Sequence, residues 1–538
     1  MFINEAKKQI LEAVRVYLAR DEFGELVIAK KNQRPIFLVG PPGIGKTDIM
    51  EQVARELGIN LVPYSMTHHT RQSALGLPYI VKKSFESKTD GDREVQATLY
   101  TMSEIIENIY AKMDETGIRE GILFLDEINC VSETLAPAML QFLQYKEFGG
   151  CRIPDGWVIV TAGNPPEYNN SVREFDVVTS DRLKRIDVEP DYKVWKEYAV
   201  NNGIHPAIVN FLDAHEGYFH TVTNNGGEKC FATARGWYDL SEVIKAYEAQ
   251  RNMPETPKDA FIVDDKLICQ YIQNRLIAKE FSDFYTLFMK YKQDYKVNEI
   301  LEGRAPEHIK HRARNAAFDE HHALIVILLA AILAKIEATS KKRAVIRSVF
   351  GYFKEYKQKL TVGNNDIVTL IEDSIAQIEN ELESSKRAGH LTADKLHLDR
   401  STISELHKYL TCFRSDSTLP RKGIEALSVI KEIYNPCVAA LGNETNEIVE
   451  QLNNIFVFCE EALVKPDSEG REMLILVKEL TINRTSAMFI SDNGCKKYFE
   501  YNNKLLISDI DNALMQRAND LAEVIESIDT LDSVIDGN

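Results

Sequence analysis

Short, wholly apolar runs alternate with amphipathic stretches through the first 190 residues, and that alternation sets the fold class. Ile36–Val39, Ile122–Leu125 and Trp157–Thr161 are too short for helices and are bounded by turn residues, the pattern of strands buried on both faces. Asn60–Met66 and Arg185–Val188 supply two further strands. Between them the apolar positions recur at helical spacing. One set is Ile49, Met50, Val53, Ala54 and Leu57, stopped by Gly58; another is Ile105, Ile106, Ile109, Tyr110 and Met113. A third, Leu135, Ala138, Met139, Phe142 and Leu143, follows Ser132 as a candidate cap, and an amphipathic helix from Asn4 to about Asp21 opens the chain. Such alternation predicts an α/β fold with a parallel sheet layered between helices, whose ligands sit at the carboxyl ends of the strands. One segment departs from it. Over residues 76–100, two short strands around Tyr79–Val81 and Val95–Leu99 flank a polar span with Asp90-Gly91, a hairpin-like insertion.

Beyond Pro190 the pattern turns almost wholly helical. Residues 1–190 therefore read as the sheet domain, 191–253 as a small helical lid, and 254–538 as a large, mostly helical C-terminal region for docking partners, in one unit or more. The proline-containing stretch at 252–259 marks the second boundary, and polar breaks fall at 363–366, 385–390, 415–418 and 465–470. A chain of 538 residues is too long for one hydrophobic core. Its longest aliphatic run, Leu324–Ala334, is bracketed by His322 and Lys335 and falls short of the ~20 residues a spanning helix needs, so a buried helix and no membrane insertion are expected.

Composition narrows the function. With 64 basic against 81 acidic residues the net charge is −17, which disfavours nonspecific binding to nucleic acid or anionic membranes. The eight cysteines are scattered without a C-x-x-C pair, and the pairs His308/His311 and His321/His322 have no ligand set at metal spacing, so neither a disulfide framework nor a metal cluster is indicated. The charged N-terminal helix lacks the apolar core of a signal peptide, which predicts a cytoplasmic protein.

The chemistry starts directly after the first apolar run. Gly40-Pro41-Pro42-Gly43-Ile44-Gly45-Lys46-Thr47 has the G-x-x-x-x-G-K-[ST] spacing, in which small residues let successive backbone N–H groups turn onto phosphate oxygens. Lys46 supplies a point charge for the β- and γ-phosphates, Thr47 a hydroxyl for Mg²⁺, and the helix beginning near Asp48 its positive end. Asp126 and Glu127 end the Ile122–Leu125 strand. Asp126 is suited to hold Mg²⁺ through its water shell and Glu127 to polarise an attacking water; without the phosphate loop the pair would read as a strand ending in solvated charge. Asn164, after the next strand, is placed to orient that water or touch the γ-phosphate.

The order GPPGIGKT, LFLDEIN, VTAGNPPEYN, SDRLKRI and TARGW resembles the AAA+ ATPases over roughly residues 1–300, and among them the MoxR-like branch with its helix-2 insert. That resemblance implies a P-loop NTPase core with a helical lid, ATP and Mg²⁺ as cofactors, and a homo-oligomeric ring, a hexamer. It matches Asn164 to sensor 1, Arg182 to the arginine finger and Arg235 to sensor 2, and likens the hairpin near 76–100 to the insert that faces the ring's pore. The usual D-R-F is here Asp181-Arg182-Leu183 with Arg185 close by, so the choice between Arg182 and Arg185 stays open, as does whether Arg235 acts in cis or in trans. Near a helix start Arg235 is disfavoured by the dipole, which favours an anionic partner for it. Tyr79, Phe85 and Tyr100 are candidates for contact with a client or for cross-strand packing. The implied work is ATP-driven, chaperone-like remodelling of a protein client, for this branch often one with a von Willebrand factor A domain. The rival readings are a nucleotide-gated scaffold and a nucleic-acid motor, the latter disfavoured by the acidic balance.

Overall fold

The structure is a computed structural model describing the chain through Lys504 apart from residues 69–75, 86–92, 149, 169–171, 174, 226–227, 252, 254–256, 258–259, 363–364, 388–390, 417 and 465–469. It divides into two compact units. One comprises Met1–Lys196, His215–Lys279 and Gln377–Leu396; the other comprises Glu197–Ala214, Glu280–Ala376 and the described residues from His397 onward.

The first unit opens with α1 (Ile3–Leu18), β1 (Ile36–Val39), α2 (Lys46–Leu57) and β2 (Asn60–Ser65). The hairpin β3 (Pro78–Phe85) and β4 (Arg93–Tyr100) follows, then α3 (Glu104–Thr116), β5 (Gly121–Asp126) and α4 (Ala136–Tyr145). A small ribbon of β6 (Glu147–Phe148) and β7 (Cys151–Arg152) leads to β8 (Trp157–Gly163), a single turn α5 (Val177–Ser180) and β9 (Lys184–Asp187). Five strands form one parallel sheet in the order β2-β5-β8-β1-β9. The strand register sets Val39 beside both Gly163 and Asp187, and Ser65 beside Asp126. The residues that follow these strands therefore emerge along one edge of the sheet.

Alternation along the strands fills both faces. Ile36, Leu38, Ile122, Phe124, Val158 and Val160 pack on Ile10, Val14, Met50 and Val53 of α1 and α2. Phe37, Val39, Leu123, Leu125 and Ile159 pack on Ile105, Ile109, Met139 and Phe142 of α3 and α4. Each such side chain contributes about 1.5–3 kcal/mol on burial, which fixes the register, because a one-residue slip would exchange the two faces.

Local chemistry moves some boundaries. The fourth helix begins at Ala136 rather than at Ser132, because Pro137 favours the first turn and the Ser132 carbonyl instead accepts from Leu135 and Ala136 in a preceding turn. The β3–β4 hairpin is longer than its apolar residues indicate, paired from Pro78 opposite Tyr100 to Phe85 opposite Arg93. The segment after Pro190 is not almost wholly helical. Thr221–Asn225 (β10) and Glu228–Ala232 (β11) form an antiparallel hairpin ahead of α6 (Ala234–Arg251). Its strands are short and mostly polar, so hydrophobic alternation does not reveal them, although Asn225-Gly226-Gly227 is a hairpin-turn sequence. Residues 226 and 227 lie outside the described set.

The second unit is built around the 45-residue helix Phe318–Val362, long and apolar enough by length and composition to cross a membrane. Its stripe of Leu324, Ile325, Leu328, Leu329, Ile332 and Ile336 is buried against Leu452 and Phe456 of the helix Gly423–Ala462 and Leu476 and Leu480 of the helix Arg471–Ile482. This is the packing of a core helix. His321 belongs to the same core: its Nδ1 meets Glu472 Oε1 at 3.2 Å and its Nε2 the Ala313 carbonyl at 2.8 Å. The helices that end at Val362, Arg387, Ser415 and Ala462 stop within or shortly before the four polar breaks, whose residues 363–364, 388–390, 417 and 465–469 lie outside the described set.

Candidate nucleotide site

The phosphate loop leaves β1 at the sheet's carboxyl edge, where the Gly40 N–H donates to the Gly163 carbonyl at 3.3 Å. Gly43 and Gly45 have φ of +76° and +93°, the left-handed region that a side chain resists, and Gly45 is the N-cap of α2. Two glycines thus turn the chain directly into a helix whose first residue is Lys46. Lys46 is 8 % exposed. Its Nζ donates to the Gly40 carbonyl at 2.8 Å, the Pro41 carbonyl at 2.7 Å and Asn164 Oδ1 at 3.0 Å, which engages all three ammonium protons. Burial pushes its pKa down to about 8; the Asp126 carboxylate opposes the shift, Arg235 adds to it and Glu127 again opposes it.

Asp126 ends β5, and one of its oxygens accepts the N–H of Glu127 at 2.9 Å. Glu127 has φ 57° and ψ 35°, a left-handed conformation that costs a non-glycine residue about 1 kcal/mol or more and turns the chain sharply out of the sheet. The short turn that follows brings Asn129 beneath Asn164, where its Nδ2 donates to the Asn164 carbonyl at 2.8 Å. A Cβ on Gly163 would stand 2.5 Å from Asn129 Oδ1, so this contact needs glycine at the end of β8. Asn129 is a functional-site residue that motif spacing does not single out; its position inside LFLDEIN is the signal available.

The other wall comes from residues 218–235. The backbone N–H of Arg235 donates to the Gly43 carbonyl at 3.2 Å, and Thr233 lies so close that a Cβ on Gly43 would stand 3.1 Å from its hydroxyl. Arg235 lies in the first turn of α6, and its exposed guanidinium has no hydrogen-bond or ion-pair partner among the described residues. His220 is half-buried on the same wall, where the Tyr168 ring meets its imidazole edge-on at 6.2 Å, and no sequence motif marks it.

The two candidate finger residues are placed differently. Arg182 is exposed, and its Nη1 donates to Gln144 Oε1 of α4 at 2.6 Å. Arg185, on β9, pairs with Asp187 at 2.8 Å and lines a cavity of about 500 Å³ with Gly40, Pro41, Asn129 and Asn164. On the hairpin, Tyr79 and Tyr100 are exposed, as is Ile80, while the side chain of Phe85 lies outside the described residues.

Residues 35–183 match the family model of the AAA domain (dynein-related subfamily). This is an AAA+ ATPase domain. The matched segment runs from the residue before β1 into the turn before β9, and so contains the phosphate loop, Asp126, Glu127 and Asn164. Three mutant forms of RuvB from Thermotoga maritima are similar in structure. Their identities are 13 %, 16 % and 14 %, with TM-scores of 0.27, 0.25 and 0.28. The aligned parts cover 50 %, 46 % and 50 % of this chain and 69 %, 63 % and 70 % of theirs. No curated protein matches the chain. The AAA+ domain binds nucleotide, and its donor set fits a hard cation: the Thr47 hydroxyl opens α2, and Asp126 keeps its second oxygen without a hydrogen-bond partner among the described residues.

Proposed function

We propose that the chain hydrolyses ATP with Mg²⁺ in a ring of identical copies, a hexamer, and uses the cycle to remodel or mature a protein client in the cytoplasm, as a MoxR-like AAA+ ATPase. The observation that carries this reading is the convergence of Lys46, Asp126, Glu127 and Asn164 at the ends of adjacent strands, while Arg182 bonds Gln144 instead. A site with its phosphate cradle and carboxylates in place, but with its finger candidate turned to another element, fits an arginine supplied by a neighbouring copy.

In this mechanism the amides from Gly43 to Thr47 and the Lys46 ammonium hold the β- and γ-phosphates, exchanging the loop's own carbonyls for phosphate oxygens. Thr47 and Asp126 would hold a magnesium ion, which would supply shielding of phosphate charge. The Glu127 carboxylate accepts the proton of the attacking water, and the Asn164 carboxamide orients that water. The Arg235 guanidinium, without a hydrogen-bond or ion-pair partner among the described residues, is available to the γ-phosphate. Hydrolysis is then mainly positioning and electrostatics, with an arginine in trans contributing about 10³ to 10⁵ in rate. Residues 191–253 act as the lid and 254–538 as the docking region, with a von Willebrand factor A domain as the client class.

The test is phosphate release by the purified chain at concentrations where it assembles. Magnesium-dependent turnover that Lys46→Ala abolishes supports the reading. Its absence from assembled protein, or turnover that a captured client leaves unstimulated, counts against coupled remodelling.

A further inference from the structure

The long helix Phe318–Val362 changes character half-way. Its first half supplies the buried stripe of the core. From residue 341 to 359 it carries seven basic residues and one acidic residue, Glu355, in a chain whose acidic residues outnumber its basic ones by 81 to 64. Three of the seven are neutralised within the fold: Lys341 pairs with Glu337, Lys342 with Glu444 and Arg343 with Asp492. Arg347, Lys354 and Lys357 are exposed and have no ion-pair partner among the described residues.

Helical spacing gathers these three cations around an aromatic ring. Arg347, Phe350, Lys354 and Lys357 follow one another at steps of three or four residues, so they stand in one row about 15 Å long. Phe350 is 42 % exposed although it stacks on Tyr434 of the helix Gly423–Ala462, at 5.9 Å between ring centroids. The Lys354 ammonium lies 4.9 Å from the centre of the Phe350 ring. The Tyr434 hydroxyl donates to the Ile346 carbonyl at 3.3 Å, which holds the second helix alongside the row. Lys431, one helical turn before Tyr434, is exposed and adds a fourth cation.

Two ordinary explanations fall short. The negative end of a helix attracts cations, but that field fades within the last turn, and Arg347 to Lys357 lie before it. A solvated helix face mixes both signs, whereas this row holds one sign around an exposed ring. Unneutralised cations around an apolar centre are complementary to carboxylates around an apolar side chain. Nucleic acid is the other polyanion, and the net charge of −17 opposes the approach of its phosphate backbone. A row of about 15 Å matches about ten residues of helix or five of extended peptide.

We propose that the face of Arg347, Phe350, Lys354 and Lys357 docks a short acidic segment of a protein partner, with one apolar side chain of that segment set against the Phe350–Tyr434 stack. This names the chemistry of the client and rests on the reading of residues 254–538 as the docking region.

The experiment is fluorescence anisotropy with the full chain in the absence of nucleotide. The probe is a labelled peptide of about ten residues, Glu and Asp around one central Leu. It should bind with a Kd of about 10 µM or tighter at about 50 mM NaCl and about tenfold more weakly at about 300 mM. Combining Arg347→Glu, Lys354→Glu and Lys357→Glu should weaken binding by at least about tenfold; should that variant not fold, glutamine at the same three positions decides the point. Lys354→Arg with Lys357→Arg keeps the charge and should stay within about twofold of the parent. Phe350→Ala should weaken binding about 3- to 10-fold with the salt dependence unchanged. Parental affinity in the folded triple variant overturns the proposal, as does equal binding of the same peptide made with Gln and Asn. Tighter binding of a single-stranded oligonucleotide of equal charge also overturns it and assigns the face to nucleic acid. Docking and the ATP-driven cycle fail separately: peptide binding without turnover would sink the cycle and leave this face standing, whereas turnover without peptide binding would sink the face alone.

Discussion

Lys46 Nζ lies 3.0 Å from Asn164 Oδ1, which ties the phosphate loop after β1 to the turn after β8. The two residues lie in segments that follow the neighbouring strands β1 and β8, so the register of those strands brings the segments together. Asn164→Ala should leave ATP affinity within about threefold of the parent, since Lys46 keeps two acceptors, but lower kcat by about 10²-fold if the carboxamide orients the attacking water. Steady-state kinetics check this; a parallel rise in KM with unchanged kcat would assign Asn164 to binding instead.

Glycine at 163 is required by the Asn129 carboxamide, not by backbone strain. Gly163→Ala should push Asn129 off the Asn164 carbonyl and so reproduce much of the Asn164→Ala kinetic defect, in addition to a stability loss of about 1–3 kcal/mol from crowding. Adding Asn129→Ala to Gly163→Ala, which makes room for the methyl group, should not rescue kcat, because the support for Asn164 is then absent. A Gly163→Ala enzyme with parental kcat would show that this support is dispensable.

Burial of Lys46 gives the site a pH dependence. Phosphate binding needs the ammonium, whose pKa is pushed down to about 8, so ATP affinity should be flat below about pH 7 and about tenfold weaker at pH 9. The linked effect on stability has the opposite direction. Between about pH 8 and the unfolded lysine value near 10.4, the unfolded chain binds more protons than the folded one, so stability from this group rises with pH across that window. Lys146, also pushed down to about 8 by burial, contributes in the same sense. Denaturant midpoints at pH 7.5, 9 and 10, compared with Lys46→Met, test the sign; a slope unchanged by the substitution would remove Lys46 as its source.

Arg182 and Arg185 make different predictions. Arg182 contacts Gln144, whereas Arg185 lines the cavity beside Gly40 and Asn164 and pairs with Asp187. If Arg182 is the finger in trans, Arg182→Ala should lower kcat by about 10³-fold or more with ATP affinity retained, and mixing it with Lys46→Ala subunits should restore part of the activity. Arg185→Ala should act mainly through the cavity wall and leave kcat within about tenfold. Reversal of the two effects would assign the finger to Arg185.

Much of the AAA+ core is legible because its signals are local. Ile36–Val39, Ile122–Leu125 and Trp157–Thr161 end where chemistry begins, and the observed strands run over these residues. The hairpin Thr221–Ala232 is hidden because its strands are short and polar and bury little of a face that alternation could report.

By itself the sequence determined the α/β order, the phosphate loop and the carboxylates at the end of β5, because periodicity and motif spacing act between residues close along the chain. Only the tertiary structure decided that Asn129 supports Asn164, that Arg182 turns to Gln144, and that the Arg235 N–H meets the loop at the Gly43 carbonyl. Those contacts join segments far apart in sequence. Their chemistry is ordinary hydrogen bonding to backbone or amide groups, which leaves no residue pattern to read and exists only once the sheet has aligned its strand ends and the 218–235 segment has packed beside them.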